Sequence, residues 1–359
     1  METGFLKRGF IPHGDFNIFL QSKSEALITD TNLLKFCDPK ITVIDERTKE
    51  ILRKKGYGVY GHSAVEICTW TKKSIRGLGE CYKNKFYGVK THSCAQVSPA
   101  FLWCHHRCVY CWRPTEYMER APPRWMRPEE IIPALVKLRR ELLIGIRGAE
   151  DADPVKVREA LDEFPKHWAI SLSGEPTLYP YLPEFIDEVK KRGAETIFVV
   201  TNGQEPEMIR KIARPPLSQL YISVNAPNEE LYKRIAKPID GSFERILQSF
   251  KARGDFRTVA RITLIRGYNT EVNFDEWAAF FEQTRPWFIE VKAYMWIGHS
   301  QMRLTKQHMP TMDEIRAYAQ KLAEATGYVY EDEHEPSRIA LLKRPGVERW
   351  LLKPENRKS

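Results

Sequence analysis

The chain has 359 residues, 42% apolar and 29% charged, with a formal net charge of +9. That is enough for one large α/β barrel or two average domains. No apolar run nears the ~20 residues of a bilayer-spanning helix, and Met1 to Phe16 mixes Glu2, Lys7, Arg8 and Asp15, unlike a secretory signal. The composition thus argues against membrane, secreted and disordered classes.

In chain order, residues 1–60 read as an N-terminal extension packed on a barrel. Ser93–Ser98 reads as a strand. Pro128 opens a helix over Glu129–Ile146 at the favoured first-turn position. From His167 on, β-rich apolar runs alternate with amphipathic stretches. The runs are His167–Ser173, Thr196–Thr201, Gln219–Asn225, Val259–Arg266 and Phe288–Met295. The helical stretches are Leu182–Arg192, Pro206–Ala213, Glu229–Ile235, Phe243–Ala252 and Phe274–Gln283. Met309–Gly327 reads as a last helix and Tyr328–Arg344 as one or two closing strands. About six βα units imply a parallel sheet with helices outside, either a partial barrel or a doubly wound sheet. In both, chemistry gathers at the carboxyl ends of the strands.

Charge and sulfur are both concentrated near the front. Ile51 to Arg127 holds 14 basic and 4 acidic residues, so this fifth of the sequence carries the whole positive excess. That suggests a face for a polyanion, the alternative being a solvated lysine-rich surface. The seven cysteines are Cys37, Cys68, Cys81, Cys94, Cys104, Cys108 and Cys111. An odd count in a large chain favours reduced thiolates as metal ligands over a disulfide framework.

Cys104-His-His-Arg-Cys108-Val-Tyr-Cys111 places three thiols within eight residues, between a strand and a helix. Soft sulfur ligands select an iron–sulfur cluster or zinc, the latter completed by His105 or His106. Three ligands on a four-iron cube leave one iron open. Three strand ends are polar: Ser173-Gly174-Glu175-Pro176-Thr177, Thr201-Asn202-Gly203 and Ser223-Val224-Asn225. Singly these are turns or caps, but together they read as a cofactor cleft. Cys68, Cys81 and Cys94 follow at steps of 13. They suit a second cluster, a zinc site completed by His62 or His92, or unrelated buried thiols.

CxxxCx(aromatic)C after the first strand of a six-unit α/β chain resembles the radical SAM superfamily. The resemblance implies a partial (β/α)6 TIM-like barrel. It also implies a [4Fe–4S] cluster on Cys104, Cys108 and Cys111 that binds S-adenosylmethionine (SAM) and releases a 5′-deoxyadenosyl radical. Tyr110 matches the position near the adenine, and Gly174 and Glu175 match the motif near the methionyl amine. Thr201, Asn202, Ser223 and Asn225 would reach ribose hydroxyls or the methionyl carboxylate.

The cysteine cadence, with Cys81–Gly88, Ser173–Thr177 and Val291–Met295, closely resembles the tRNA 4-demethylwyosine synthases of the wybutosine pathway, in their archaeal branch. The match spans about residues 60–345. It implies two [4Fe–4S] clusters, the second on Cys68, Cys81 and Cys94. The substrates would be tRNA-Phe bearing N1-methylguanosine, and pyruvate as donor of two carbons. Lys83 falls at the family's Schiff-base lysine, with Lys85 and arginines expected to lower its pKa; without the family it would be a surface phosphate contact. Pyruvate binding at the second cluster's open iron stays an alternative. Eukaryotic members carry a flavodoxin-like domain for which this sequence has no room, so an external electron donor is implied. Oxygen-labile clusters and tRNA point to the cytoplasm.

On this basis the sequence divides into the extension 1–60, a second-cluster and basic segment 61–100, a radical SAM core 101–308, and a C-terminal helix with closing strands 309–359. Arg53, Lys54, Lys55, Lys72, Lys73, Arg76, Lys83, Lys85, Lys90, Arg124 and Arg127 would meet phosphates. Trp70, Tyr82, Phe86, Tyr87 and Trp125 would stack a splayed base. Cys37 reads as a buried thiol or a fourth cluster ligand. Two rivals are a radical SAM activating enzyme for a glycyl-radical partner, and a non-catalytic zinc-stabilised RNA-binding protein.

Overall fold

The computed structural model describes residues 44, 46–113 and 124–353. Cys37 and residues 1–43 of the expected extension lie outside them. The described residues all fall within one unit, Thr42–Ser359.

Ten strands form one sheet: β1 (Tyr57–Tyr60), β2 (Ser63–Glu66), β3 (Cys94–Ser98), β4 (His167–Ile170), β5 (Thr196–Thr201), β6 (Gln219–Ser223), β7 (Thr258–Leu264), β8 (Phe288–Ala293), β9 (Val329–His334) and β10 (Ile339–Lys343). Their order is β1-β2-β3-β4-β5-β6-β7-β8-β10-β9. The six strands β3 to β8 run parallel. Antiparallel β1–β2 extends one side and β10–β9 the other.

The helices are α1 (Glu46–Lys54), α2 (Thr69–Ile75), α3 (Tyr82–Tyr87), α4 (Pro128–Leu143), α5 (Pro154–Leu161), α6 (Leu182–Lys191), α7 (Pro206–Ile212), α8 (Glu229–Ala236), α9 (Phe243–Ala252), α10 (Phe274–Thr284) and α11 (Met312–Thr326). Local chemistry sets many of their ends. Side chains of Asn228, Ser242 and Asn273 accept from backbone N–H groups at the starts of α8, α9 and α10. Thr311 and Glu314 form a reciprocal capping box on α11, and Gly327 ends it in the left-handed region. Among the described residues no helix is long and apolar enough to cross a membrane.

Alternation along the strands builds two cores. Ile197 and Val199, Leu220 and Ile222, Ala260 and Ile262, and Ile289 and Val291 pack with Phe185, Ile209, Phe250, Trp277 and Ile315 of the covering helices. Each such fully buried side chain contributes about 1.5–3 kcal/mol. Phe198, Tyr221, Val259, Phe288, Ile339 and Leu341 face the other way and pack on Tyr82, Phe86 and Tyr87 of α3. The short α3 therefore fills the inner side of the barrel wall. Leu351 and Leu352 donate their N–H groups to Tyr87 O (3.3 and 3.1 Å), and Arg349 bonds Phe86 O (2.9 Å) and Lys85 O (2.7 Å). A Cβ at Gly88 would lie 1.9 Å from Leu352 O, so only glycine fits under this strap.

Candidate active site

Cys104, Cys108, Tyr110, Cys111, Gly174, Glu175, Thr201, Asn202, Ser223 and Asn225 line one cleft at the carboxyl ends of the parallel strands. The atom-free space, mouth included, is about 810 Å³. The cysteine loop is pinned by its backbone: Arg107 N–H donates to Ala236 O (3.1 Å), Val109 N–H to Ile235 O (3.0 Å), and Ile239 N–H to His105 O (2.8 Å). Arg303 adds bonds to Val109 O and Cys111 O. Burial first, then the Cys111 charge, pushes the Cys108 thiol up to about 12. Burial, then Glu175, pushes Cys104 well up. Thiolates here therefore need a cationic centre to stabilise them. Asn202 Nδ2 lies 3.6 Å from Cys104 Sγ, and Asn225 Nδ2 donates to the Tyr110 hydroxyl (2.7 Å).

Glu175 ties the strand ends together. Its Oε1 accepts from Thr177 N (3.0 Å), Thr177 Oγ1 (2.6 Å) and Thr201 Oγ1 (2.7 Å), and its Oε2 accepts from Asn202 N (2.7 Å). Oε2 thus keeps a free lone pair toward the cleft residues. Gly174 has φ +70°, and a Cβ there would lie 1.8 Å from Ala100 O. Glycine is required because β4 ends directly against the segment that leads into Cys104.

Cys68 and Cys81 occupy the N-cap positions of α2 and α3, and Cys94 opens β3. Burial raises all three thiols, Cys81 to about 12 and Cys94 to about 11, and Cys81 feels both partners' charge. Lys83 faces the same thiols. It is 9% exposed, with Nζ 4.3 Å from the Phe198 ring centroid and 4.9 Å from that of Tyr221. Burial, then the Arg261 charge, lowers its pKa. Two expectations are corrected here. Lys83 is no surface contact, because α3 turns it into the wall. Lys85 does not tune it, because Lys85 points outward to Asp332 (2.9 Å) and Glu333 O (2.6 Å).

Sequence reading missed the buried group that anchors α3. Glu290 on β8, 0% exposed, accepts from Arg261 Nε (3.1 Å) and Nη2, and from the hydroxyls of Tyr87 (2.7 Å) and Tyr221 (3.3 Å). Arg261 also donates to the Tyr82 hydroxyl (2.6 Å). The available signal was charge inside two apolar strands, Arg261 in Thr258–Leu264, and Glu290 and Lys292 in Phe288–Ala293.

The sequence model of the radical SAM superfamily matches residues 99–278, and one described as wyosine base formation matches residues 283–344. A SAM-dependent tRNA 4-demethylwyosine synthase of Pyrococcus abyssi is 42% identical over 86% of this chain and 93% of its own length. The chain belongs to the tRNA 4-demethylwyosine synthase family. The synthase of Methanocaldococcus jannaschii is 40% identical over 84% of this chain and 97% of its own. A solved structure of TYW1 with a lysine-pyruvate adduct bound superposes with a TM-score of 0.74 at 39% identity, covering 84% of this chain and 96% of that one.

Within this family fold, each histidine considered as a zinc ligand has a ring nitrogen already bonded, although the buried Nδ1 of His105 has no partner. Both ring nitrogens of His62 are bonded, to Pro99 O (2.6 Å) and Met126 N (2.8 Å). His92 pairs with Glu159 (2.7 Å), His105 with Glu205 (2.9 Å) and His106 with the Tyr232 hydroxyl (2.8 Å). Among the described residues no three His, Cys, Asp or Glu side chains converge as one ion requires. Cluster ligands sit on separate irons and lie wider apart. None of the six described cysteines is in a disulfide.

Four of the five expected stacking aromatics are also corrected, while Trp70 is half-buried with Lys73 Nζ 4.9 Å from its ring centroid. Tyr82, Phe86 and Tyr87 are core residues, and half-buried Trp125 packs on His62, Trp103 and Tyr179. Tyr60, 41% exposed, and Trp112, 38% exposed, are aromatics that sequence reading passed over. Of the eleven expected phosphate contacts all but Lys83 are exposed, although Arg76 is paired with Asp151 (2.8 Å).

Proposed function

We propose that this chain converts N1-methylguanosine beside the anticodon of tRNA-Phe to 4-demethylwyosine, taking two carbons from pyruvate in a SAM-dependent radical reaction. One observation carries the reading: a buried amine, Lys83, shares a thiol-lined interior with Cys68, Cys81 and Cys94, while a second thiol triad lines the strand-end cleft. Cys104, Cys108 and Cys111 would hold one [4Fe–4S] cluster, and Cys68, Cys81 and Cys94 another. When bound, the first cluster with SAM supplies the electron that opens the sulfonium bond and yields a 5′-deoxyadenosyl radical.

The chain's own residues do the rest. Glu175 Oε2 offers its free lone pair to the methionyl ammonium. Tyr110, fixed by Asn225, packs at the adenine, and Thr201, Asn202 and Ser223 supply polar contacts along the cleft. Lys83, whose pKa burial and then the Arg261 charge lower, attacks the pyruvate carbonyl as the free amine; water leaves and an imine forms. The exposed lysines and arginines of residues 53–127 take the tRNA phosphates. An external donor in the cytoplasm supplies the electron.

Iron content after anaerobic reconstitution tests the reading. About eight irons per chain are expected, falling to about four in Cys104→Ala or Cys81→Ala. Lys83→Ala should keep both clusters and cleave SAM, yet make no tricyclic base. Wild-type product from that variant would overturn the role of Lys83.

A further inference from the structure

Phe288, Glu290 and Lys292 alternate along β8 and so share the face that meets α3. Glu290 is consumed by Arg261, Tyr87 and Tyr221. Lys292 stands one pleat closer to the carboxyl end of the strand. Its Nζ donates to the main-chain oxygen of Ser337 (2.9 Å) and lies 5.9 Å from the Tyr82 ring centroid. Among the described residues no carboxylate bonds to it.

Neighbouring rings under one guanidinium place Lys292 and Lys83 in the same interior. Arg261 lies over both Tyr82 (5.5 Å) and Tyr221 (4.6 Å). Lys83 flanks Tyr221 and Lys292 flanks Tyr82. Both lysines also feel the Cys81 thiol. The interior therefore holds one acid, Glu290, already bonded to Arg261, and a second basic group, Lys292, whose pKa burial and then the Arg261 charge lower to about 8.

We infer that Lys292 binds the carboxylate of the α-keto acid whose carbonyl Lys83 attacks. This rests on the reading of Lys83 given above. An ammonium has three donors, so Ser337 O can keep one while the substrate takes another. The carboxylate keeps its charge while the carbonyl oxygen leaves as water and the imine forms. A cation at one end of the substrate thus fixes which face meets the Lys83 amine. Lys292 also selects a charged keto acid over a neutral carbonyl compound.

The test is reductive trapping of the imine with cyanoborohydride on the reconstituted enzyme, with the adduct mapped by peptide mass. Wild type, Lys292→Met, Lys292→Gln and Lys292→Arg are each titrated with pyruvate and with its neutral methyl ester. A charge-assisted bond of about 1.5–3 kcal/mol predicts a rise of about ten- to a hundredfold in half-saturating pyruvate for Met and Gln. Arginine should restore most of the affinity, and the ester should be trapped equally by all. Unchanged pyruvate titration, or equal loss with the ester, overturns the inference while leaving Lys83 in place. An adduct mapped to a residue other than Lys83 in wild type overturns the earlier reading instead.

Discussion

Glu290 offers the sharpest test of how the inner core is held. Glu290→Gln keeps the shape of the side chain and an oxygen for the Tyr87 and Tyr221 hydroxyls, but removes the charge that balances Arg261. Arg261 would then keep only the Tyr82 hydroxyl among its described partners, with its side chain 16% exposed. Breaking a buried pair from one side costs about 3–5 kcal/mol. At roughly 2–4 °C per kcal/mol, melting should fall by roughly 6–20 °C. The reverse half, Arg261→Met, should cost a similar amount. The double variant Arg261→Met/Glu290→Gln removes both charges and should recover most of that loss. Melting curves for all four chains, at matched iron loading, read the cycle. If the double variant loses the sum of the two singles, the charges are not coupled and the argument fails.

Three further outcomes follow from the geometry. Gly174→Ala should combine a left-handed backbone penalty of about 1–2 kcal/mol with displacement of the segment before Cys104; iron content should drop toward that of Cys104→Ala, and full loading would refute the close approach. Binding of tRNA should weaken steeply with salt, and Lys72→Ala/Lys73→Ala should flatten the log–log slope by about two; a slope that is flat in wild type refutes the basic surface. The Arg266 guanidinium and the Thr311 N–H hold the Glu314 carboxyl down at about 2. Its contribution is therefore complete above the ordinary value of 4.5 and lost as pH falls toward 2. Glu314→Gln should shrink the fall in apo-protein melting temperature between pH 5 and pH 2, and an unchanged fall refutes the pairing.

The sequence was most legible where period and punctuation agree. β5 and α9 have the expected bounds, since Thr196–Thr201 is a continuous apolar run and Ser242 caps a clear helical stripe. The strand-end residues were legible for the same reason, because a βα alternation tells which end of each strand is the rim. The β1–β2 hairpin went unseen: Tyr57–Tyr60 is four residues long and contains glycine, so its identity comes from pairing with β2. α3 was misjudged in orientation. Its aromatics and lysines alternate closely enough to suit a nucleic-acid face, and only the inner residues of β5 to β8 reveal that the aromatics point inward. Lys292 stood out only as a second charge in an apolar strand, and its meaning depends on which neighbours have already used up Glu290.

The strap over α3 bears on the order in which the molecule is made. Lys85, Phe86, Tyr87 and Gly88 are gripped by Arg349, Leu351 and Leu352, residues synthesised more than 250 positions later. A ribosome adding ~5–20 residues per second presents Cys68, Cys81 and Cys94 well before their final enclosure exists. The lining of the strand-end cleft, by contrast, ends at Ile246, and Arg303, which braces its cysteine loop, also precedes the strap. Any centre built on Cys68, Cys81 and Cys94 thus has a loading window that closes when the far end of the polypeptide wraps back.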